Sequence, residues 1–222
     1  GSLAGDALTT GGFNTCIGSI AGSAMTTATS NVAVGRAALF ANVNGGENVA
    51  VGIEALSATS GQFNTAIGAR ALDATTGVDK LTAVGYKALE NNTTGTSNNA
   101  LGANALDANT TGSGNVAVGD NALGSNITTG NNTAVGKSAL FINTGGNNTA
   151  IGYNALILNQ DASNNTALGS FCLDANTTGT DVTAVGSSAL SGNTTGSQNT
   201  AIGQASLLSN STGSNNTAVG DN

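Results

Sequence analysis

The sequence contains no proline, tryptophan or histidine and only two cysteines, and these shortages exclude several classes of protein. Aromatic residues make up 3% and charged residues 8% of the chain, which excludes both an aromatic-centred core and the charge-rich composition of a disordered tail. Without histidine, the commonest side chain of acid–base and zinc chemistry is missing. Five Lys and Arg against twelve Asp and Glu give a net charge of −7, so we expect no nucleic-acid partner.

Long apolar runs are also missing, since none approaches the ~18–20 residues of a membrane helix. We therefore expect no membrane insertion by this segment, and no signal peptide is recognisable. Gly-rich stretches such as G-G-N-N-T lack the lysine and the flanking helix of a phosphate-binding loop. The sequence contains no catalytic constellation, and we predict that the protein is not an enzyme and carries no cofactor or metal.

A short repeat fills the 222 residues. Its most regular feature is a glycine, here called the anchor glycine, that follows Cys-Ile, Ala-Val, Ala-Ile or Ala-Leu. Successive anchors are 17 residues apart, or 16 in the intervals Gly52–Gly68 and Gly136–Gly152. The unit reads N-T-A-V-G-x-x-A-L-x-x-N-T-T-G-x-x. The anchor glycines are Gly18, Gly35, Gly52, Gly68, Gly85, Gly102, Gly119, Gly136, Gly152, Gly169, Gly186, Gly203 and Gly220.

This period predicts an all-β fold, a parallel β-solenoid of about 13 coils with two short strands in each 16–17-residue coil. The residue before the anchor is always aliphatic and the one before that is Ala or Cys, so they lie on opposite strand faces. We expect the aliphatic face to fill the coil, in columns with the Leu found four residues after most anchors. The second strand would contain that Leu. Residues 1–222 form one array in this interpretation, with the first two coils (1–34) as variants.

Polar residues mark the corners of each coil. The N-T-T-G cluster is a turn signal, because Gly and Asn tolerate left-handed backbone. An Asn opens eleven of the thirteen units, and Leu81 and Val182 replace it in the other two. Stacked in register, these Asn side chains can form a hydrogen-bonded ladder from coil to coil. A single roll of this kind has a thin apolar core, so we expect several chains to pack along an Ala/Leu face.

The N-T-A-V-G and N-T-A-I-G units resemble the head repeats of the YadA-like trimeric autotransporter adhesins. The strings Asn48–Gly52 and Asn115–Gly119 come closest to the family pattern. The longer repeat with its N-T-T-G turn is similar to repeats of phage tail fibres. The resemblance covers essentially the whole chain. It implies a left-handed β-roll, a homotrimer, an extracellular location on a cell surface or virion, and adjoining fibre domains at both ends, of which this chain would be a fragment.

The implied function is a structural and adhesive fibre segment that presents exposed turns to a host-surface glycan or protein. A purely structural filament or sheath subunit without a ligand is the alternative. Ice binding ranks below both, because Val and Asn interrupt the Thr columns and T-x-T pairs are missing. Exposed side chains just after the anchor glycines are the candidate receptor contacts. They are Arg36, Arg70, Tyr86, Lys87, Lys137, Tyr153 and Phe171.

Other reactive or polar side chains receive structural interpretations. Cys16 and Cys172 replace small residues and are expected to be buried, with pairing of like cysteines across a trimer axis left open. The carboxylates are expected to be solvated, with a weak ion site between chains left open for the shared position of Asp73, Asp107 and Asp174. N-x-S/T sequons abound, including those at Asn91, Asn92 and Asn109.

Overall fold

The computed structural model describes residues 1–221 and divides into two compact units, residues 1–113 and 114–222. Each unit is a parallel β-solenoid in which one three-residue strand per coil pairs with the strands of neighbouring coils. The first unit contains β1 (Thr15–Ile17), β2 (Val32–Val34), β3 (Val49–Val51), β4 (Thr65–Ile67), β5 (Thr82–Val84) and β6 (Asn99–Leu101). The second contains β7 (Val116–Val118), β8 (Thr133–Val135), β9 (Thr149–Ile151), β10 (Thr166–Leu168), β11 (Thr183–Val185), β12 (Thr200–Ile202) and β13 (Thr217–Val219).

The coils stack in the register that the repeat predicts. Ala33 of β2 lies opposite Ala50 of β3, and Ala184 of β11 lies opposite Ala201 of β12. No helix occurs in residues 1–221. A parallel solenoid in each unit, with about thirteen coils in all, is therefore confirmed.

The second strand of each coil was predicted wrongly. The segment around Leu39 is a pair of turns, in which Ala37 and Leu39 both have left-handed φ angles, of 59° and 51°. Its backbone still bonds to the next coil, since Leu39 N donates to Ala55 O at 3.1 Å. Left-handed residues rotate the chain too sharply for an extended strand, so this side of the coil is a stack of turns.

The two faces of the strand were also assigned in reverse. The central Ala, such as Ala66 or Ala167, is fully buried inside the coil, whereas the aliphatic residue before the anchor points outward. The coil is narrow because its turns bring a second Ala and the Leu, for example Ala71 and Leu72, against the strand Ala. Only Ala or Cys fits at the centre of such a strand. The Ala/Leu face therefore belongs to the interior and is closed to other chains.

Two ladders of buried amides complete the interior. In the first, Asn48 N donates to Asn31 Oδ1 at 3.0 Å and Asn48 Nδ2 donates to Gly61 O at 2.8 Å, which confirms the ladder predicted from the unit-opening Asn. The second ladder starts from the Asn of N-T-T-G. Its members include Asn92 and Asn109, whose side chains bond at 2.8 Å. These amides fill the corners inside each coil. Because they are hydrogen-bonded, they leave no unsatisfied polar group there.

The anchor glycine is required by the stacking of the coils. Gly52 has a φ of 139°, and a Cβ atom there would lie 2.6 Å from the carbonyl oxygen of Gly68 in the next coil. Both the backbone conformation and the close approach exclude a side chain.

The first two coils differ from the others, as the sequence indicates. Gly22 stands where Leu39 and its equivalents lie, and Met25 reaches into the vacated space. Met25 is fully buried at the position that Asn42 occupies one coil later in the second ladder. The flexible side chain of Met25 thus fills the space that Leu39 and Asn42 fill together one coil later.

Candidate binding surfaces

The outward residues of the strands form a surface that we call the outer strand face. Each strand contributes a first residue that is Thr, Val or Asn and a last residue that is Val, Ile or Leu. None of these positions in β1–β13 is charged. The aliphatic side chains are substantially exposed, with Ile67, Leu168 and Ile202 at 40%, 44% and 41%. Each unit thus presents a regular, uncharged and partly apolar surface, which the sequence interpretation had placed inside the coil.

The candidate contact residues occupy a corner one or two positions after the anchor glycine, as predicted. The structure divides them between the units. Arg36, Arg70, Tyr86 and Lys87 lie in the first unit, and Lys137, Tyr153 and Phe171 lie in the second. Their backbone is fixed by turns, since Arg70, Lys87 and Phe171 all have left-handed φ angles between 53° and 60°.

In the first unit the three basic candidate residues are engaged in ion pairs, and those of Arg36 and Arg70 reach across coils. Arg36 Nη2 lies 2.5 Å from Glu54 Oε1, and Arg70 Nη2 lies 2.8 Å from Glu90 Oε1. Lys87 Nζ lies 3.3 Å from Glu90 Oε2 and 5.5 Å from the centroid of the Tyr86 ring. We call these residues, together with Asp73, the charged corner.

One carboxylate of the charged corner departs from the solvated role predicted for it. The Glu90 side chain is only 8% exposed and is held by Arg70 and Lys87. Neighbouring Asp107 has a raised pKa because burial disfavours its charged form, with a smaller contribution from Glu90. The sequence contained a signal for this cluster, because Asp73, Glu90 and Asp107 occupy the same repeat position in consecutive coils.

In the second unit the candidate residues are mainly aromatic. The rings of Tyr153 and Phe171 meet edge to face, with centroids 5.2 Å apart and planes at 86°. Both are more than 40% exposed. Lys137 makes a loose pair with Asp120, at 3.8 Å between Nζ and Oδ2. We call Lys137, Tyr153 and Phe171 the aromatic corner.

Both cysteines are free thiols at inward positions. Cys172 is buried before Leu173, as expected, and burial raises its pKa to about 12. Cys16 lies in β1, is half-buried, and also has a pKa raised by burial. The thiols are therefore protonated at neutral pH and behave as small apolar groups.

The part of the chain from residue 1 to 221 shows no enclosed pocket and no group of three or more potential metal-ligating side chains. Within the same range, the chain forms no helix of the length and apolarity that would span a bilayer. The candidate surfaces are open faces and corners.

Comparison of the chain with protein-family models, curated proteins and solved structures finds no match.

Proposed function

We propose that the chain is a structural and adhesive segment of a trimeric extracellular fibre, with a left-handed roll in each chain, rather than an enzyme. The observation that carries the proposal is the uncharged outer strand face. Aliphatic residues are exposed or partly exposed there in every strand of β1–β13, while the charged residues lie elsewhere. Exposed apolar surface of this regularity is typical of an interface.

Assembly through the outer strand face would supply the stability that a narrow coil lacks. Each strand offers one aliphatic side chain for burial, and completing the burial of a half-exposed side chain contributes about 1 kcal/mol. Thirteen such residues would sum to roughly 13 kcal/mol, enough to offset the cost of association. The strands of three chains would then enclose a common apolar axis.

The charged corner and the aromatic corner would face outward from such a fibre and contact a glycan or protein on a host surface. Each corner is held on turns that are bonded to neighbouring coils, so little backbone entropy is lost when it binds a partner. In a trimer every corner occurs three times, and weak contacts at fixed spacing add through avidity.

The trimer is tested by measuring molar mass with size-exclusion chromatography and light scattering. The wild-type chain should elute at three times the chain mass, and the double variant Val135→Lys/Val185→Lys should be monomeric. The matched control is Asn147→Lys, because Lys80 stands at the equivalent exposed position. A wild-type monomer at micromolar concentration, with native circular dichroism, would reject the trimer. Adhesion is tested separately on a glycan array. If the assembled fibre binds no glycan, the purely structural filament is favoured instead.

The outer strand face also favours ice binding as a second candidate function. Two features of the sequence oppose it, the missing T-x-T pairs and the Val and Asn that interrupt the Thr columns, and the interruptions remain in β2, β3, β6 and β7. The outward pair is instead a Thr and an aliphatic residue, as in Thr183 and Val185, and neighbouring pairs repeat every ~4.8 Å. This function needs the face free of other chains. A chain that is monomeric and causes thermal hysteresis, lost in Val135→Lys/Val185→Lys, would replace the fibre proposal with this one.

A further inference from the structure

Residues 1–222 contain eleven N-x-S/T sequons, and in the second unit the fold sorts them into two groups. The sequons of that unit begin at Asn126, Asn131, Asn147, Asn164, Asn176, Asn193, Asn210 and Asn215. The sequons that begin in the N-T-T-G turn have their Asn in the second buried ladder. Asn126 belongs to this group, in the variant N-I-T-T. Those of the form Asn-Asn-Thr place their first Asn at an exposed corner.

The ladder asparagines have no amide hydrogen to spare. Asn193 is fully buried, and its Nδ2 donates to Asn176 Oδ1 and to Gly196 O, both at 2.9 Å. Asn176 Nδ2 likewise donates to Asn159 Oδ1 at 3.3 Å and to Gly179 O at 3.0 Å. A group attached to either nitrogen would break a buried hydrogen bond and would have no space inside the coil.

The Asn-Asn-Thr asparagines lie at the surface, where Asn147 Nδ2 donates one hydrogen bond to Asn164 Oδ1 at 3.4 Å and Asn164 Nδ2 donates one to Asp181 Oδ1 at 3.1 Å. Asn131, Asn147, Asn164 and Asn215 are exposed and take left-handed φ angles of 59° to 61°. Each is followed by a first-ladder Asn and then by the Thr that opens a strand, such as Thr133 or Thr166. The first and third residues of the acceptor sequence therefore face outward beside the outer strand face, while the middle Asn points into the coil.

We infer that the folded chain accepts N-linked sugar at Asn131, Asn147, Asn164 and Asn215, and that its N-T-T sequons serve only the structure. The co-substrate is a nucleoside-diphosphate sugar. The amide nitrogen forms a bond to the anomeric carbon, the bond from that carbon to the diphosphate oxygen breaks with its electron pair, and the nitrogen releases one proton. The product nitrogen keeps only one hydrogen. An amide at an exposed corner tolerates this loss, whereas a ladder amide uses both of its hydrogens in buried hydrogen bonds.

A sugar row would have a defined place on the second unit. Asn131, Asn147 and Asn164 belong to consecutive coils, so their sugars would be spaced by about one coil rise, ~4.8 Å. Each sugar would be attached two residues before the outward Thr of a strand. The row would therefore follow one border of the outer strand face. Attached sugars are bulky and hydrophilic, so they would limit what can approach that border without disturbing the interior.

The test uses the folded protein, UDP-glucose and a soluble N-glucosyltransferase that recognises Asn-x-Ser/Thr, with sites mapped by mass spectrometry. We expect initial rates at the four corner asparagines to exceed those at Asn126, Asn176 and Asn193 by at least about tenfold, because the ladder sites must first open. After denaturation the difference should disappear. Equal rates in the folded chain would overturn the inference, and so would corner sites that react only after denaturation.

Two substitutions remove single sequons while retaining the fold. Thr166→Val abolishes the acceptor at Asn164 and places Val where Val32, Val49 and Val116 already stand. Thr178→Ala removes the sequon of Asn176 at an exposed position. The first should remove one sugar from the folded protein, and the second should remove none. A sugar lost with Thr178→Ala would contradict the structural role of the N-T-T sequons, whatever the outcome for the fibre proposal.

Discussion

The side-chain amide of Asn193 donates to Oδ1 of Asn176 in the neighbouring coil, at 2.9 Å and out of contact with solvent. Substitution of Asn176 by Asp, which has the same shape, should destabilise the chain by about 3 kcal/mol or more, because a carboxylate cannot donate to Asn159 Oδ1 and Gly179 O. The free energy of unfolding in urea measures the effect.

The matched control is Asn131→Asp. Asn131 is exposed, and the equivalent position holds Glu47 and Asp181. The control should change the free energy of unfolding by less than about 0.5 kcal/mol. A similar loss in both variants would mean that added charge, rather than the buried ladder, determines the outcome.

Substitution of an anchor glycine should be far more costly than substitution of a glycine with open surroundings. Gly52→Ala would place a Cβ atom 2.6 Å from Gly68 O at a φ of 139°, and we expect a loss of at least about 3 kcal/mol in unfolding free energy. At Gly12 no heavy atom lies within 4 Å of the added Cβ, so Gly12→Ala should be close to neutral. Thermal unfolding by circular dichroism distinguishes the two, and a near-neutral Gly52→Ala would show that the stacking is looser than described.

The charged corner should depend on Arg70. Arg70→Gln leaves the nearly buried Glu90 with Lys87 as its remaining partner, and we expect a loss of about 1–2 kcal/mol that shrinks in 1 M NaCl. Lys137→Gln removes a loose and exposed pair and should cost less than about 0.5 kcal/mol. Urea titrations at low and high salt provide the comparison. An unchanged loss for Arg70→Gln in high salt would indicate that packing of the side chain, not charge, is responsible.

Cys172 should make the chain less stable in alkali. Burial raises the pKa of this thiol from 9.0 to about 12 in the folded state. Between these two values the unfolded thiol loses its proton while the folded one keeps it, so the free energy of unfolding falls as pH rises. Cys172→Ala, which restores the residue found in most coils, should flatten the pH dependence between about pH 9 and 11. An identical slope in the variant would assign the alkaline loss to other groups.

The sequence predicts the coil and its register, but not which way the strand faces. The spacing of the anchor glycines, the unit-opening Asn and the turn residues are local signals. The spacing predicts the coil and its register, the Asn predicts the first ladder, and the turn residues predict the corners. Alternation places Ala117 and Val118 on opposite faces without deciding which face is inside. That decision depends on the width of the coil, which is set by the left-handed backbone of Leu123 and the buried amide of Asn126.

The binding surfaces were predictable only in part. The position of the seven candidate residues after the anchor glycines follows from the repeat, and their role as receptor contacts stays a prediction. Asp73 pairs with Arg70 from three positions away, but Glu90 lies one coil later and 20 positions along the chain and could not be predicted from the sequence neighbours of Arg70. Such contacts become visible only when repeat positions are compared between coils.

The two shortened coils show where the repeat can change length. Between Gly136 and Gly152 the missing residue comes out of the N-T-T-G turn, where Asn143 Nδ2 donates to Gly145 O instead of to a carbonyl three residues away. Asn143 still bonds to Asn126 at 3.0 Å, and Asn148 N still reaches Asn132 Oδ1 at 2.9 Å. The deletion between Gly136 and Gly152 leaves both amide rows intact, which makes this turn the natural place to graft a foreign peptide loop for display or immunisation.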